Sequence, residues 1–495
     1  MAGFMIAAPR SGSGKTMVTC GILELLKRKQ KNPFSYKCGP DYIDGLFHRK
    51  VLGIEGGNLD SFFEQPQDIR EKYAAVSETH FPVVEGVMGY FDGLGGDTTA
   101  ASSWEVADIL NLPVVLVVDA KGASLSLAAL IKGFQVFQGE SQSSQANKNG
   151  NHIQAVILNR ISPMLYPRMK AVIEKETGVL VAGYVPELDF WQVGSRHLGL
   201  VLPGEIENLQ EQMRQLGDCL EKTLDVDVLL KLGEKADIDV LGSVTVTADG
   251  SSQKCEAQKN ADLVLQNQFA GEKISHSAIP IRLGVAWDEA FCFYYRDNLE
   301  FLEKQGVQIV QFSPVHDKHL PDDLDGLLLG GGYPELYAKA LEENETIRNE
   351  IRRKAEEDMP ILAECGGYLY LLKELEDENG TGYEMAGVFS GKGYKKGKNS
   401  HFGYITVRTE KDSLYLKAGE TIKGHEFHYW ESTQDENELK MQAKKPTGKR
   451  SWPCVTVKNQ VMAGFPHLYY PSLEGFGERF VQACDRYRMK RKRQQ

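Results

Sequence analysis

Residues 360–371 read PILAECGGYLYL: a short apolar run ends in Glu364 and Cys365, two glycines follow, and apolar residues then resume at helical spacing. That order marks a buried strand turning sharply into a helix, with Cys365 on the turn. A cysteine there faces the first backbone N–H groups of the helix. Their dipole favours the thiolate and is expected to lower its pKa from about 8.5 into the range of roughly 3.5 to 7.5. The glycines let a substrate carbonyl approach. A free cysteine is most often a small buried hydrophobe, so a nucleophile needs partners elsewhere. Working outward, LLLGGG at 327–332 places glycines after an apolar strand, where N–H groups could stabilise an oxyanion. VMAGFPHL at 461–468 ends in His467, the candidate base, on a loop after the last strand. Glycine loop, cysteine turn and late histidine stand in a working order for acyl transfer.

The first half of the chain repeats one pattern. Gly3–Ala8 is an apolar strand, SGSGKT at 11–16 a loop, and Thr16–Lys29 a helix. The loop is of the phosphate-cradling kind: Gly12 and Gly14 turn backbone N–H groups inward, Lys15 reaches the β/γ-phosphates and Thr16 can ligate Mg²⁺, with Ser11 and Ser13 completing the cradle. Pro9 stands where the strict pattern has glycine. YKCGPDYID at 36–44 sets Asp41 and Asp44 on a turn, where a turn role and a functional one are equally open. PVVEGVMGYFDG at 82–93 ends a strand in Glu85, placed to hold Mg²⁺ directly or through water, with Asp92 on the glycine-rich loop after it. Asp60 reads as a helix N-cap.

Further apolar strands at 113–119, 153–159 and 181–185 alternate with helices, which means a parallel sheet covered on both faces. Asn159 could read an adenine edge or serve a turn. Arg196 and His197, in SRHLGL, are candidates for an anionic substrate. Polar, low-complexity sequence at 139–151 reads as a surface insertion. A second polar stretch at 245–277 separates a helical region from a new α/β pattern beginning at Ile281. The expected architecture is therefore α/β with two domains: a P-loop parallel-sheet domain over 1–244, a linker over 245–279 and a second α/β domain over 280–495.

At 495 residues the chain exceeds one ordinary core, and 42% hydrophobic with 25% charged residues is a globular composition. A net charge of −11 argues against nucleic-acid or membrane-surface binding, and the basic run at 486–495 reads as a solvated helix end. The 8 cysteines lack a CxxC pair, so neither a zinc site nor a disulfide framework is indicated and a reducing cytoplasm fits. No signal peptide is visible, and no apolar run approaches the ~20 residues of a membrane span.

The blocks SGSGKT, KCGPDYID, VVEGVMGYFDG, SRHLGL, DEAFCFYYRDNLE, LLLGGGYPELYA, AECGGYLYL, GHEFHYWES and the final Phe465-Pro466-His467 together resemble the cobyrinic acid a,c-diamide synthase family nearly end to end. The resemblance implies an ATP-dependent amide-forming domain similar to dethiobiotin synthetase, followed by a class I type glutamine amidotransferase domain. It implies that Cys365 attacks glutamine, His467 moves protons, and Gly331, Gly332 and Gly366 hold the oxyanion. It also implies ATP on Ser11–Thr16, Mg²⁺ on Thr16, Asp41 and Glu85, and a tetrapyrrole carboxylate positioned by Asp44 and Asp92. Ordinary class I amidotransferases carry Glu two residues after the catalytic His, whereas this chain has Tyr469, so a Cys–His dyad is expected. Hydrogenobyrinic acid and nickel-sirohydrochlorin are alternative acceptors within the same motifs. A P-loop regulatory ATPase with an inert appended domain is the alternative outside them. A cytoplasmic enzyme, open to forming a homodimer, is the expectation.

Overall fold

The computed structural model describes residues 2–42, 45, 47–137, 152–191, 195–196, 199–200, 208–234, 280–397, 401–434 and 439–494. Asp44, His197, the insertion at 139–151 and the linker sequence from 245 to 277 lie outside them, as does the side chain of Arg196.

The N-terminal half is a parallel sheet built from β1 (Phe4–Ala7), β2 (Pro33–Cys38), β3 (Gly56–Leu59), β4 (Phe81–Glu85), β5 (Val114–Asp119), β6 (Ile153–Asn159) and β7 (Leu180–Val185), in the order β3-β2-β4-β1-β5-β6-β7. Strand sequences are apolar at successive positions because both faces are covered: Met5 and Ala7 join one core, Phe4 and Ile6 the other. The helix α1 (Lys15–Arg28) follows β1 through the glycine loop. The helices Leu209–Thr223 and Val226–Glu234 return to this sheet, burying Leu216, Leu220 and Leu229 in the same core as α1.

The C-terminal half opens with parallel strands ordered Val307–Phe312, Ile281–Ala286, Gly326–Leu329, Ile361–Glu364 and Val461–Gly464. Antiparallel strands Ser451–Lys458, Leu439–Lys444, Phe402–Arg408 and Thr421–Phe427 extend the sheet, and His467–Leu468 closes its far edge. His467 is thus on a short strand paired opposite His425, not on a free loop; the hydrogen-bonding edge of Thr421–Phe427 captures it. The C-terminal basic run lies in the helix Phe476–Gln494 and is only partly solvated. Arg488 is buried and Arg491 pairs with Asp325 at 3.1 Å.

The two halves are pinned together by polar and aromatic contacts around the strand ends. Lys72 bridges Glu64 (2.5 Å) and Asp297 (2.7 Å), and Tyr404 donates to Asp60 at 2.9 Å. Asp60 caps the turn at Phe62 and Phe63 rather than a helix, and its burial pushes the carboxyl up to about 6. Tyr469 stacks on Phe63 at 4.8 Å and donates to Asp297. The position that carries a triad Glu in ordinary class I enzymes is here an interdomain contact.

Candidate active site

In the N-terminal sheet the carboxyl ends of β1, β2 and β4 converge. Gly14 caps α1 with φ 94°, and a Cβ there would lie 2.2 Å from the Asn159 amide, so the loop can close only on glycine. Asn159 donates to the Ser13 carbonyl at 2.9 Å and is buried. One of its two amide N–H groups thus braces the loop, while its Oδ1 accepts no hydrogen bond from the described residues. Ser13 is also turned inward, donating to the Arg10 carbonyl, whereas Ser11, Gly12, Gly14, Lys15 and Thr16 line a cavity. The Lys15 ammonium reaches the Met88 carbonyl at 2.5 Å.

Thr16 donates to Glu85 at 2.6 Å. Lys37, which sequence reasoning passed over, lies between the acids: its ammonium donates to Glu85 at 2.8 Å and sits 3.9 Å from Asp41. Glu85 is fully buried and Lys37 nearly so, a pair that is tolerable only because each charge has its partner. Among the described residues no group of three His, Cys, Asp or Glu side chains could hold a metal alone. Mg²⁺ in nucleotide sites is typically held by one or two carboxylates, a hydroxyl, waters and phosphates. The hydroxyl of Thr16 and the carboxylates of Glu85 and Asp41 fit that donor set. Asp92 accepts from Gly89 N at 2.9 Å and so shapes its own loop while lining the cavity.

In the C-terminal sheet Cys365 ends Ile361–Glu364 and caps Gly366–Leu371 with φ 47° and ψ −102°, a strained turn of the kind stored at functional sites. Its N–H donates to the Gly464 carbonyl on the neighbouring strand, which leads through Phe465 and Pro466 to His467. The glycine loop lies against both: Gly367 N donates to Gly330 O at 2.9 Å, and a Cβ on Gly331 would meet the His467 ring at 2.3 Å. Gly332 N lies 3.0 Å from where a Cβ on Gly366 would be. The three proposed oxyanion glycines are therefore brought together beside the histidine.

The expected low thiol pKa is not what this arrangement produces. Burial pushes the Cys365 thiol up, the Glu335 carboxylate adds to it, and the Gly366 N–H opposes it only in part. Burial likewise lowers His467 to about 3, so its ring is neutral. A further acid emerges at the residue just before the nucleophile. Glu364 accepts from Leu468 N (3.3 Å) and the Tyr470 hydroxyl (3.0 Å), and its other oxygen is 3.9 Å from His467 Nδ1. Burial raises its carboxyl to about 8. Nothing in the linear spacing from the histidine pointed to it, because it arrives from the strand Ile361–Glu364, elsewhere in the sheet.

One cavity of about 1490 Å³ runs from Gly14, Lys15 and Thr16 at one end to His425 and His467 at the other, without Cys365 among its lining residues. Pockets for one small molecule run to roughly 300–1,000 Å³, so this one has room for more than one ligand. Tyr42 lies between the ends, its ring centroid 5.2 Å from His467 and 4.6 Å from Tyr295, one residue from Asp41.

A P-loop sheet joined through one cavity to a Cys–His amidotransferase sheet defines a glutamine-dependent amide-forming ligase. Residues 4–200 match the CobQ/CobB/MinD/ParA nucleotide binding domain, and residues 282–473 the CobB/CobQ-like glutamine amidotransferase domain. The chain is 36% identical to a cobyrinate a,c-diamide synthase of Caldanaerobacter subterraneus subsp. tengcongensis over 98% of each sequence. It is 37% identical to one of Streptococcus sanguinis over 94% of this chain and 95% of that one. A solved crystal structure described as a glutamine amidotransferase is similar over 41% of this chain and 98% of that one, at 17% identity and a TM-score of 0.30. The chain belongs to the cobyrinate a,c-diamide synthase family.

Proposed function

We propose that the enzyme converts the a and c carboxylates of cobyrinic acid to carboxamides in cobalamin biosynthesis, with ATP activating each carboxylate and glutamine supplying each nitrogen. The observation that carries this reading is the continuous cavity from the phosphate loop to His467. A carboxylate becomes an electrophile only when its oxygen leaves as phosphate, and ammonia is mostly protonated in bulk water. A shared interior space answers both needs.

In the amidotransferase domain, proposed to span 280–495, the Cys365 sulfur attacks the glutamine side-chain carbonyl, and the oxyanion is held by N–H groups of Gly331, Gly332 and Gly366. His467 takes the thiol proton and returns it to the departing nitrogen, so that ammonia leaves and a thioester remains. Water, deprotonated by His467, then releases glutamate. Glu364 holds the backbone of Leu468, and with it the strand that carries the ring, at 3.9 Å from Nδ1 in a site lacking the usual Glu. In the synthase domain, proposed to span 1–244 with a linker at 245–279, Lys15 and the loop N–H groups hold the ATP phosphates. Mg²⁺ held by Thr16, Asp41 and Glu85 would neutralise charge at the γ-phosphate. The acceptor carboxylate displaces ADP to give an acyl phosphate, and ammonia displaces phosphate from it. Asp92 orders the loop that meets the acceptor. Asp44, Arg196 and His197 complete the proposed acceptor contacts. The reading also expects a cytoplasmic enzyme without a nucleic-acid partner. Among the described residues no helix is long and apolar enough to cross a membrane.

The test is whether ATP turnover requires both glutamine and a corrinoid, with products from a panel of tetrapyrroles identified by mass. ATP turnover indifferent to both would favour a regulatory ATPase and overturn the reading. Two substitutions bear on its parts. Glu85→Gln is expected to raise the Mg²⁺ requirement and lower synthesis by roughly 10- to 100-fold, read from rate against Mg²⁺ concentration, with thermal unfolding as the control for the buried Lys37 pair. Tyr42→Ala removes the ring packed on His467. It is expected to raise glutamate released per ADP formed, because hydrolysis of glutamine no longer waits on the loop that carries Asp41.

A further inference from the structure

The cavity divides at the phosphate loop in a way set by strand order. Loops after β5, β6 and β7, which supply Lys121, Arg160 and Trp191, lie on one side of β1, and loops after β2 and β4 lie on the other. Among the described residues, the contacts recorded for the C-terminal domain fall on the β2–β3–β4 side: Tyr42 packs on His467, Tyr404 bonds Asp60 after β3, and Thr447 Oγ1 lies 3.3 Å from where a Cβ on Gly95 would be. The strands Leu439–Lys444 and Ser451–Lys458 form an antiparallel hairpin whose tip is Lys445-Pro446-Thr447-Gly448-Lys449-Arg450. Lys445, Pro446, Thr447 and Arg450 of this tip line the cavity, together with Phe402.

The chemistry of this wall is cationic and apolar at once. Lys445 donates to the carbonyls of Phe402 and Tyr404, and no carboxylate lies within ion-pair distance of it among the described residues. Its ammonium and the Arg450 guanidinium both lie over the Trp452 ring, at 5.8 and 5.5 Å from the centroid. Phe402 on the amidotransferase side and Met88 on the synthase side line the same space, each large, apolar and roughly half exposed (53% and 44%). On the synthase side Lys37 pairs with Glu85, Lys121 with Glu187 and Arg160 with Asp119. A chain of net charge −11 repels a polyanion at long range, so an acceptor with several carboxylates needs local positive charge.

We propose that the hairpin tip of the amidotransferase domain, through Lys445 and Arg450 beside Phe402, forms the outer wall of the acceptor site and recognises peripheral carboxylates of a flat apolar macrocycle. The inference rests on the tetrapyrrole reading above and assigns substrate specificity to the domain otherwise credited only with making ammonia. Half-burial lowers the Lys445 pKa, a cost that a bound carboxylate offsets.

The experiment uses the full chain with ammonium as nitrogen source, so the glutamine site drops out, and varies cobyrinic acid and ATP separately. Lys445→Glu and Arg450→Glu are expected to raise the acceptor KM about tenfold or more, the scale of a lost hydrogen bond to a charged group. The ATP KM and acceptor-independent glutamine hydrolysis should not move, and Lys445→Arg should restore most of the affinity. An unchanged acceptor KM in both Glu variants, with wild-type turnover intact, overturns the inference alone. A raised ATP KM would make the tip a nucleotide contact and overturn it equally. Absence of cobyrinic acid turnover by the wild-type chain would instead remove the reading on which it rests.

Discussion

Cys365→Ser is expected to abolish glutamine-dependent synthesis, by on the order of 10⁴-fold or more, while synthesis with a high concentration of ammonium salt continues at the wild-type rate. The serine is nearly isosteric and should keep the φ 47° turn, so the loss is chemical. Burial already raises the thiol pKa in this closed arrangement, and His467, lowered to about 3, is a weak base. A hydroxyl, far less acidic than a thiol, gives that base nothing it can deprotonate. Ammonia supplied from solution enters the cavity beyond the missing step and meets the acyl phosphate as before. Equal loss with both nitrogen sources would end the division of labour between the domains.

The parts of this enzyme that were legible in the sequence are those written in contiguous residues. Apolar runs such as Pro113–Asp119 became strands because a sheet covered on both faces demands them, and β6 falls at the residues expected. Thr16, Asp41 and Glu85 could be singled out because one opens a helix, one follows a strand and one closes a strand on the same sheet edge, and the fold sets Glu85 against Thr16 and Lys37, with Asp41 3.9 Å from that lysine. What stayed hidden depends on contacts between distant strands. Lys37 looked like one more polar residue before Gly39-Pro40, and its burial against Glu85 follows from β2 pairing with β4. Glu364 reaches His467 from the strand Ile361–Glu364, which is not paired with His467–Leu468, and Tyr42 reaches it from the other domain. The depressed thiol pKa failed for a different reason: a helix dipole favours the thiolate, burial disfavours it, and here burial dominates.

Lys15→Ala is expected to remove synthesis with glutamine and with ammonia alike, by at least roughly 10²–10³-fold, because no ring carboxylate is then activated. The Lys15 side chain is almost fully buried at the mouth of the loop, and its ammonium rests on the Met88 carbonyl at 2.5 Å. That carbonyl belongs to the loop after β4, beside the strand end that carries Glu85, so the cation is held within the phosphate end of the cavity before any nucleotide arrives. Phosphate oxygens are stronger acceptors than a single carbonyl and draw the ammonium onto the β/γ-phosphates as charge builds in phosphoryl transfer. Alanine leaves an exposable carbonyl that water can satisfy, so the fold should survive and glutamine hydrolysis at Cys365 should persist in the same preparation. The decisive measurement is ADP and amide formation with ammonium as the only nitrogen source. Retained amide formation there would mean that Ser11–Thr16 is not the phosphate site, whatever the fate of the amidotransferase half.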